Sequence, residues 1–167
     1  MRRPLHIAAT VMMALQLLLL GLGTAACGND SCYDNGSSLP LATFYLGGTQ
    51  QTISGLTIKG IGVPGDSLLA DSSSLSEVYL PLRATTTSTS FALSRWVTTG
   101  ASRLCIRDTL TIDYQPIEYF HSLECGAMFN FDVSQVCHTT HGIDSVVLLN
   151  NPITNVTTPS IRIYFAQ

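Results

Sequence analysis

The sequence predicts an all-β domain, an antiparallel sandwich of about eight or nine strands. Two observations after residue 38 carry that expectation. Apolar residues fall in short runs that alternate with polar ones and are cut by Gly, Pro, Asn and Asp. No stretch there repeats apolar residues at helical spacing long enough for a major helix. Composition agrees, since Ser and Thr supply 34 of the last 141 residues and β-branched Thr suits a pleated, half-exposed face.

The elements follow in order. Leu39 to Leu46 reads as a strand closed by a Gly47-Gly48 turn, and Ile53 to Ile61 as a second, with Gly55 marking a bulge or the strand's start. Gly62-Val63-Pro64-Gly65-Asp66 is a strong turn signal. Ser67 to Ala70 reads as a short strand and Asp71 to Ser74 as a loop. In Glu77 to Arg83, Val78, Leu80 and Leu82 share one face, and Pro81, which lacks an N–H, argues for an edge. Thr-rich Ala84 to Ser90 leads into a strand through Val97.

Leu104-Cys105-Ile106 and Asp108 to Tyr114 are expected as two strands joined by a tight turn at Arg107-Asp108, with Gln115-Pro116 breaking the pattern. Ile117 to Leu123 is a further extended piece. Ala127, Phe129, Phe131 and Val133 then alternate with Met128, Asn130 and Asp132, which predicts a half-buried strand. Gly142 turns the chain into Ile143 to Leu149, Asn150-Asn151-Pro152 turns it again, and Ser160 to Phe165 places Ile161, Ile163 and Phe165 inward. This spacing favours an immunoglobulin-like sandwich, with a small calycin-like barrel as the alternative.

The first 27 residues decide the compartment. Arg2 and Arg3, a mostly apolar run from Ile7 to Leu22, and Thr24-Ala25-Ala26 before Cys27 form an export signal. Small residues before a cysteine are what a lipoprotein signal peptidase accepts, so Cys27 is the expected lipidation site. Thr24, where such sites usually carry Leu, leaves ordinary cleavage and a secreted domain as the alternative. The expected organisation is a signal peptide over 1–26, a lipidated tether over 27–38 and one sandwich domain over 39–167.

Removing the signal removes two of eight basic residues and none of the eleven acids, so the mature chain carries a formal charge of −5. Without a basic cluster, nucleic acid is not an expected partner. Lipidation of Cys27 leaves four cysteines, Cys32, Cys105, Cys125 and Cys137, an even set in an oxidising compartment. Two disulfides are expected. Of the three connectivities, Cys125 with Cys137 and Cys32 with Cys105 is preferred. The spacings of 73, 20 and 12 positions fit no common zinc finger.

Candidate chemistry is sparse. His138-Thr-Thr-His141 lies beside Cys137 and near His121 and Glu124, yet residues three apart on a strand face opposite ways and no H-E-x-x-H frame is present. No G-x-S-x-G elbow marks a serine nucleophile. Glu77, Glu118 and Glu124 read as solvated strand ends rather than a glycosidase pair. Asp66 and Asp71 lack the alternating ligands of a calcium loop. No catalytic residue, metal or cofactor is expected. Tyr79, Trp96, Tyr119 and Tyr164 are candidates for a sugar- or protein-binding face.

Ile53-Ser-Gly-Leu-Thr-Ile-Lys-Gly-Ile-Gly, Asp66-Ser-Leu-Leu, Ser76-Glu-Val-Tyr-Leu-Pro-Leu, Glu124-Cys-Gly and Ser160-Ile-Arg-Ile-Tyr-Phe, behind a lipoprotein signal, resemble a family of envelope lipoproteins of unknown function from Bacteroides and relatives. The resemblance implies an outer-membrane lipoprotein. A lone Asp30 after Cys27, in place of an acidic cluster, favours the periplasmic face over the cell surface. It also implies O-glycan acceptors at Ser67, Thr109 and Ser145, each following Asp and preceding an aliphatic residue. The expected role is a non-enzymatic structural or binding module with a membrane anchor and a protein or glycan partner. The alternatives are a barrel-type carrier of a lipid or other small molecule and, third, a hydrolase.

Overall fold

A computed structural model describes residues 38–62, 67–123 and 125–166, all within one compact unit. Cys27, Cys32, Asp66, Glu124 and the expected signal over 1–26 lie outside the described residues. Ten strands form two sheets: β1 (Leu41–Leu46), β2 (Thr49–Gln50), β3 (Ile53–Ile61), β4 (Leu68–Leu75), β5 (Glu77–Tyr79), β6 (Ser88–Thr99), β7 (Ser102–Ser122), β8 (Gly126–His138), β9 (Ile143–Leu148) and β10 (Pro159–Phe165). The first sheet runs β2-β1-β10-β9 with β5 also on β1, and the second runs β4-β3-β6-β7-β8. Neither closes into a barrel, so the two-layer sandwich is the fold. All pairings are antiparallel except that of β1 with β10, where the first and last strands lie parallel.

The core is one cluster between the sheets. Phe44, Ile161, Ile163 and Phe165 from the first sheet meet Leu56, Ile58, Phe91, Leu93, Leu110 and Ile112 from the second. Period-two alternation places these residues inward, and Phe44 packs edge-on against Phe165 at 5.7 Å.

The largest departure from expectation is β7. No turn occurs at Arg107-Asp108 and no break at Pro116: one strand of 21 residues runs through both. Asp108 stays in the strand because its carboxylate points inward and is bonded there. Pro116 is tolerated because of where β6 ends. The Tyr114 N–H, on the β6 side, donates to Thr87 O (2.9 Å), and the last β6–β7 pair is Ser88 with Asp113. Pro116, two residues on, faces the same side, where β6 has ended, so its missing N–H breaks no ladder bond.

A smaller departure is the polar Asp71-Ser72-Ser73-Ser74 run, which continues β4 rather than looping out. β4 is an edge strand with irregular register on β3, and the Thr57 hydroxyl accepts from Ser72 N–H (3.0 Å). Pro81 follows β5, a short strand on the edge of β1, while Leu80 and Leu82 are buried as expected. At the opposite edge of the second sheet, Asn151 stands in for a strand: Val133 N–H donates to its side-chain oxygen (2.8 Å), and its amide nitrogen donates to Asp132 Oδ1 (2.8 Å) and Val133 O (3.1 Å). Ile153 completes the cover by exchanging two backbone bonds with Phe131.

Candidate ligand-binding face

The outer face of the second sheet carries a half-open groove of about 500 Å³. Its floor follows from the sequence of β6, where the outward positions Ser88, Ser90, Ala92 and Ser94 are all small and Trp96 ends the row. Register sets the walls. Lys59 lies beside Ala92 and Thr57 beside Ser94 on β3, while Arg107 lies beside Ser94 and Cys105 beside Trp96 on β7. Small side chains on the central strand, flanked by long ones on both neighbours, leave a trough.

The electrostatics of this face oppose those of the chain as a whole, whose formal charge is −3. Trp96 is 54% exposed, with the Arg103 guanidinium 4.9 Å from its ring centre. Lys59 and Arg107 are exposed and make no hydrogen bond or ion pair among the described residues. Among the described residues, Asp71 is the one acid lining the groove. The remaining basic residues among those described serve structure: Arg83 donates to Gly62 O and Ser88 O, Arg95 stacks on Phe165 and donates to Ala166 O, and Arg162 stacks on Tyr45.

On the inner face of β7, two polar side chains six residues apart pin the two long crossings between sheets. Tyr114 holds the segment from β5 to β6: its hydroxyl donates to Arg83 O (2.9 Å), receives Arg83 N–H (2.9 Å) and bonds the Thr89 hydroxyl (2.6 Å). Asp108 holds the segment from β8 to β9. Its Oδ1 accepts from Thr139 Oγ1 (2.7 Å) and His141 N–H (2.8 Å), and its Oδ2 from Gly142 N–H (2.7 Å) and Ile143 N–H (3.0 Å). Only 3% of Asp108 is exposed. Burial alone would raise its pKa, but the bonds from Thr139, His141, Gly142 and Ile143 outweigh it and hold the carboxyl below its ordinary value. Arg95 shows the reverse balance, lowered by burial and partly restored by the Asp108 charge.

A family model matches residues 55–165, from the β3 bulge to the end of β10. The chain belongs to a family of unknown function, DUF6452. No curated protein and no solved structure matches it. The DUF6452 match contains the groove, Asp108 and every partner of that carboxylate.

Within this DUF6452 domain the cysteine expectation needs correction. Cys105 and Cys137 are free thiols, whereas Cys125 is disulfide-bonded. Cys125 immediately precedes β8 and Cys137 is its penultimate residue, so the two are about 40 Å apart along it, at about 3.3 Å per residue, far beyond the roughly 7 Å that a disulfide spans. Cys105 faces the outer groove instead of pairing with Cys32.

The histidine cluster does not converge. His138 closes β8 opposite Leu110, while His141 sits in the crossing with Nδ1 3.3 Å from Asp108 Oδ1. That acid–histidine contact serves the anchor, since both oxygens of the carboxylate are already occupied by loop donors. No group of three His, Cys, Asp or Glu among the described residues is arranged to hold a metal. Of the three glycosylation candidates, Ser67 is exposed, Thr109 is half-buried within β7 beside the buried Asp108, and Ser145 is half-buried on edge strand β9. Residue reasoning missed the Lys59–Arg107 trough and the Asp108 anchor. The small-residue row of β6 signalled the first, and nothing local signalled the second.

Proposed function

We propose that the protein is a non-enzymatic, lipid-anchored binding module of the outer membrane, of the Bacteroides lipoprotein kind, that takes an acidic glycan on the outer face of its second sheet. Cys27 carries the lipid and residues 27–38 form the tether, with the domain at the periplasmic face. One observation carries the ligand class: in a mature chain of charge −5, three of six basic residues share one face with an exposed indole, Lys59 and Arg107 lining the groove that Trp96 ends and Arg103 lying over the Trp96 ring. An aromatic face stacks on a sugar ring, hydroxyls of Thr57 and Ser94 suit its hydroxyls, and the cations suit its carboxylates. A carrier with an apolar barrel interior is the less supported reading, because the two open sheets pack directly on each other.

Trp96 is the single tryptophan of the chain, so its fluorescence reports the groove directly. Titration with oligogalacturonate is expected to change its emission saturably, with binding weakened by Lys59→Ala or Arg107→Ala and absent for a neutral galactose oligomer. Emission indifferent to the acidic oligomer overturns the ligand assignment. The anchor is tested separately by palmitate labelling, which is expected in the wild type and lost in Cys27→Ser; equal labelling of both overturns it.

A further inference from the structure

We infer that the tip of the β7–β8 hairpin docks into the membrane interface beside the lipid anchor; this rests on the reading of Cys27 as the lipidated residue. Beyond Asp113 the two strands leave β6 behind, and β7 pairs with β8 alone as far as Ser122 with Gly126. Two large apolar side chains stand open at the apex of this arm: Leu123 is 90% exposed and Phe120 67%.

The path of the chain names the occupant. Ser38, the first described residue, donates from its hydroxyl to Asn130 Oδ1 (2.9 Å), and Asn130 pairs with Ile117 on the arm. The chain therefore enters the domain on the arm itself. Cys125, at the apex, is disulfide-bonded while Cys105 and Cys137 are free thiols. With the Cys27 sulfur carrying lipid, Cys32 is the thiol left for Cys125. Such a bond sets the two Cα atoms about 6 Å apart. The five residues back to Cys27 reach at most about 18 Å further. The acylated residue thus lies within about 24 Å of Cys125, two residues from Leu123, and the apex meets the leaflet that holds the acyl chains.

Residues 114–133 contain no Lys or Arg and three acids, Glu118, Glu124 and Asp132, of which Glu118 and Asp132 are exposed. The docking is apolar insertion of Phe120 and Leu123, insensitive to salt and without preference for anionic lipid. Its consequence is orientation. Cys105, beside Trp96, is about 60 Å along β7 from Leu123 at about 3.3 Å per residue, so the groove is held away from the bilayer.

The test uses full-length protein purified from membranes and reconstituted into phosphatidylcholine–phosphatidylethanolamine vesicles. Trp96→Phe combined with Leu123→Trp moves the single indole to the apex, a position exposed enough to accept it. The expected result is a protein that floats with the vesicles, whose emission shifts to the blue and is quenched by brominated phosphatidylcholine in low and high salt alike. The unaltered protein, with Trp96 in place, is expected to show no quenching in the same vesicles. Flotation with water-like, unquenched emission at the apex overturns the docking and leaves the anchor standing. Failure to float overturns both. A blue shift that grows with protein concentration and is not quenched by bromolipid assigns the apex to a second copy of the chain and overturns the membrane assignment.

Discussion

Gly142 and Asp108 lie in contact at the crossing from β8 to β9: the Gly142 N–H donates to Asp108 Oδ2 at 2.7 Å, and a Cβ built on Gly142 would stand 3.3 Å from that oxygen and 2.7 Å from Ile106 Cγ2. The carboxylate can gather three successive backbone N–H groups only because the middle one bears no side chain. This joins an inner strand of the second sheet to the edge of the first.

Gly142→Ala is therefore expected to destabilise the domain by about 1–3 kcal/mol, the usual range for overpacking a closed site. Ile106→Ala removes the methyl that the new Cβ meets. Urea unfolding of the two single variants and the double variant is expected to show coupling, with Gly142→Ala costing less in the Ile106→Ala background.

Asp108→Ala strips the acceptor from three buried or half-buried N–H groups and the Thr139 hydroxyl. At about 1–3 kcal/mol for a stranded buried donor, a loss of about 3 kcal/mol or more is expected in urea unfolding. Asp108→Asn keeps the shape and one acceptor oxygen, and is expected to fall between Asp108→Ala and the wild type.

Stability should depend on pH in the direction set by the lowered pKa of Asp108. The unfolded chain protonates this carboxyl near the ordinary value of about 3.9, while the folded one holds out to lower pH, so the unfolded state binds more protons between the two. The contribution is complete above about pH 4 and is lost as pH falls through the folded value. Urea midpoints measured across acid pH are expected to decline less steeply for Asp108→Asn than for the wild type.

Tyr114→Phe leaves Arg83 N–H, Arg83 O and the Thr89 hydroxyl to find other partners. A loss of about 1–3 kcal/mol is expected. Because Asp108 and Tyr114 pin different crossings, their losses are expected to add within about 0.5 kcal/mol, as for sites that share no partner.

Alkylation without reductant, read by mass spectrometry, is expected to label Cys137 first, since it is exposed, and the half-buried Cys105 more slowly. Cys125 is expected to react only after reduction. Early labelling of Cys125 would contradict its disulfide.

Much of the fold is legible residue by residue. The alternation of Phe44, Leu56, Ile58, Phe91, Leu110, Ile112, Phe131, Ile161 and Ile163 with polar neighbours reports burial on one side, and that rule is local. Gly47-Gly48 and Gly55 likewise mark their turn and bulge, each with positive φ. The row Ser88, Ser90, Ala92, Ser94 stands in the sequence but was not read as a floor, since Ala84 to Ser90 reads locally as a loop and the walls depend on which strands flank β6.

What the sequence by itself determined is therefore the all-β class, the inward face of each strand and the acidic balance against which the basic groove stands out, because period-two patterning and charge need no knowledge of distant partners. Only the tertiary structure decided that Asp108 and Pro116 lie inside one strand, that β1 runs parallel to β10, and that Cys125 and Cys137 are far apart. Each depends on a partner distant in sequence: the loop donors 31 to 35 residues away, the end point of β6, the closing strand, and the full extension of β8. An aspartate or a proline read alone signals a turn; an aspartate given four donors, or a proline on a side with no strand to bond, does not.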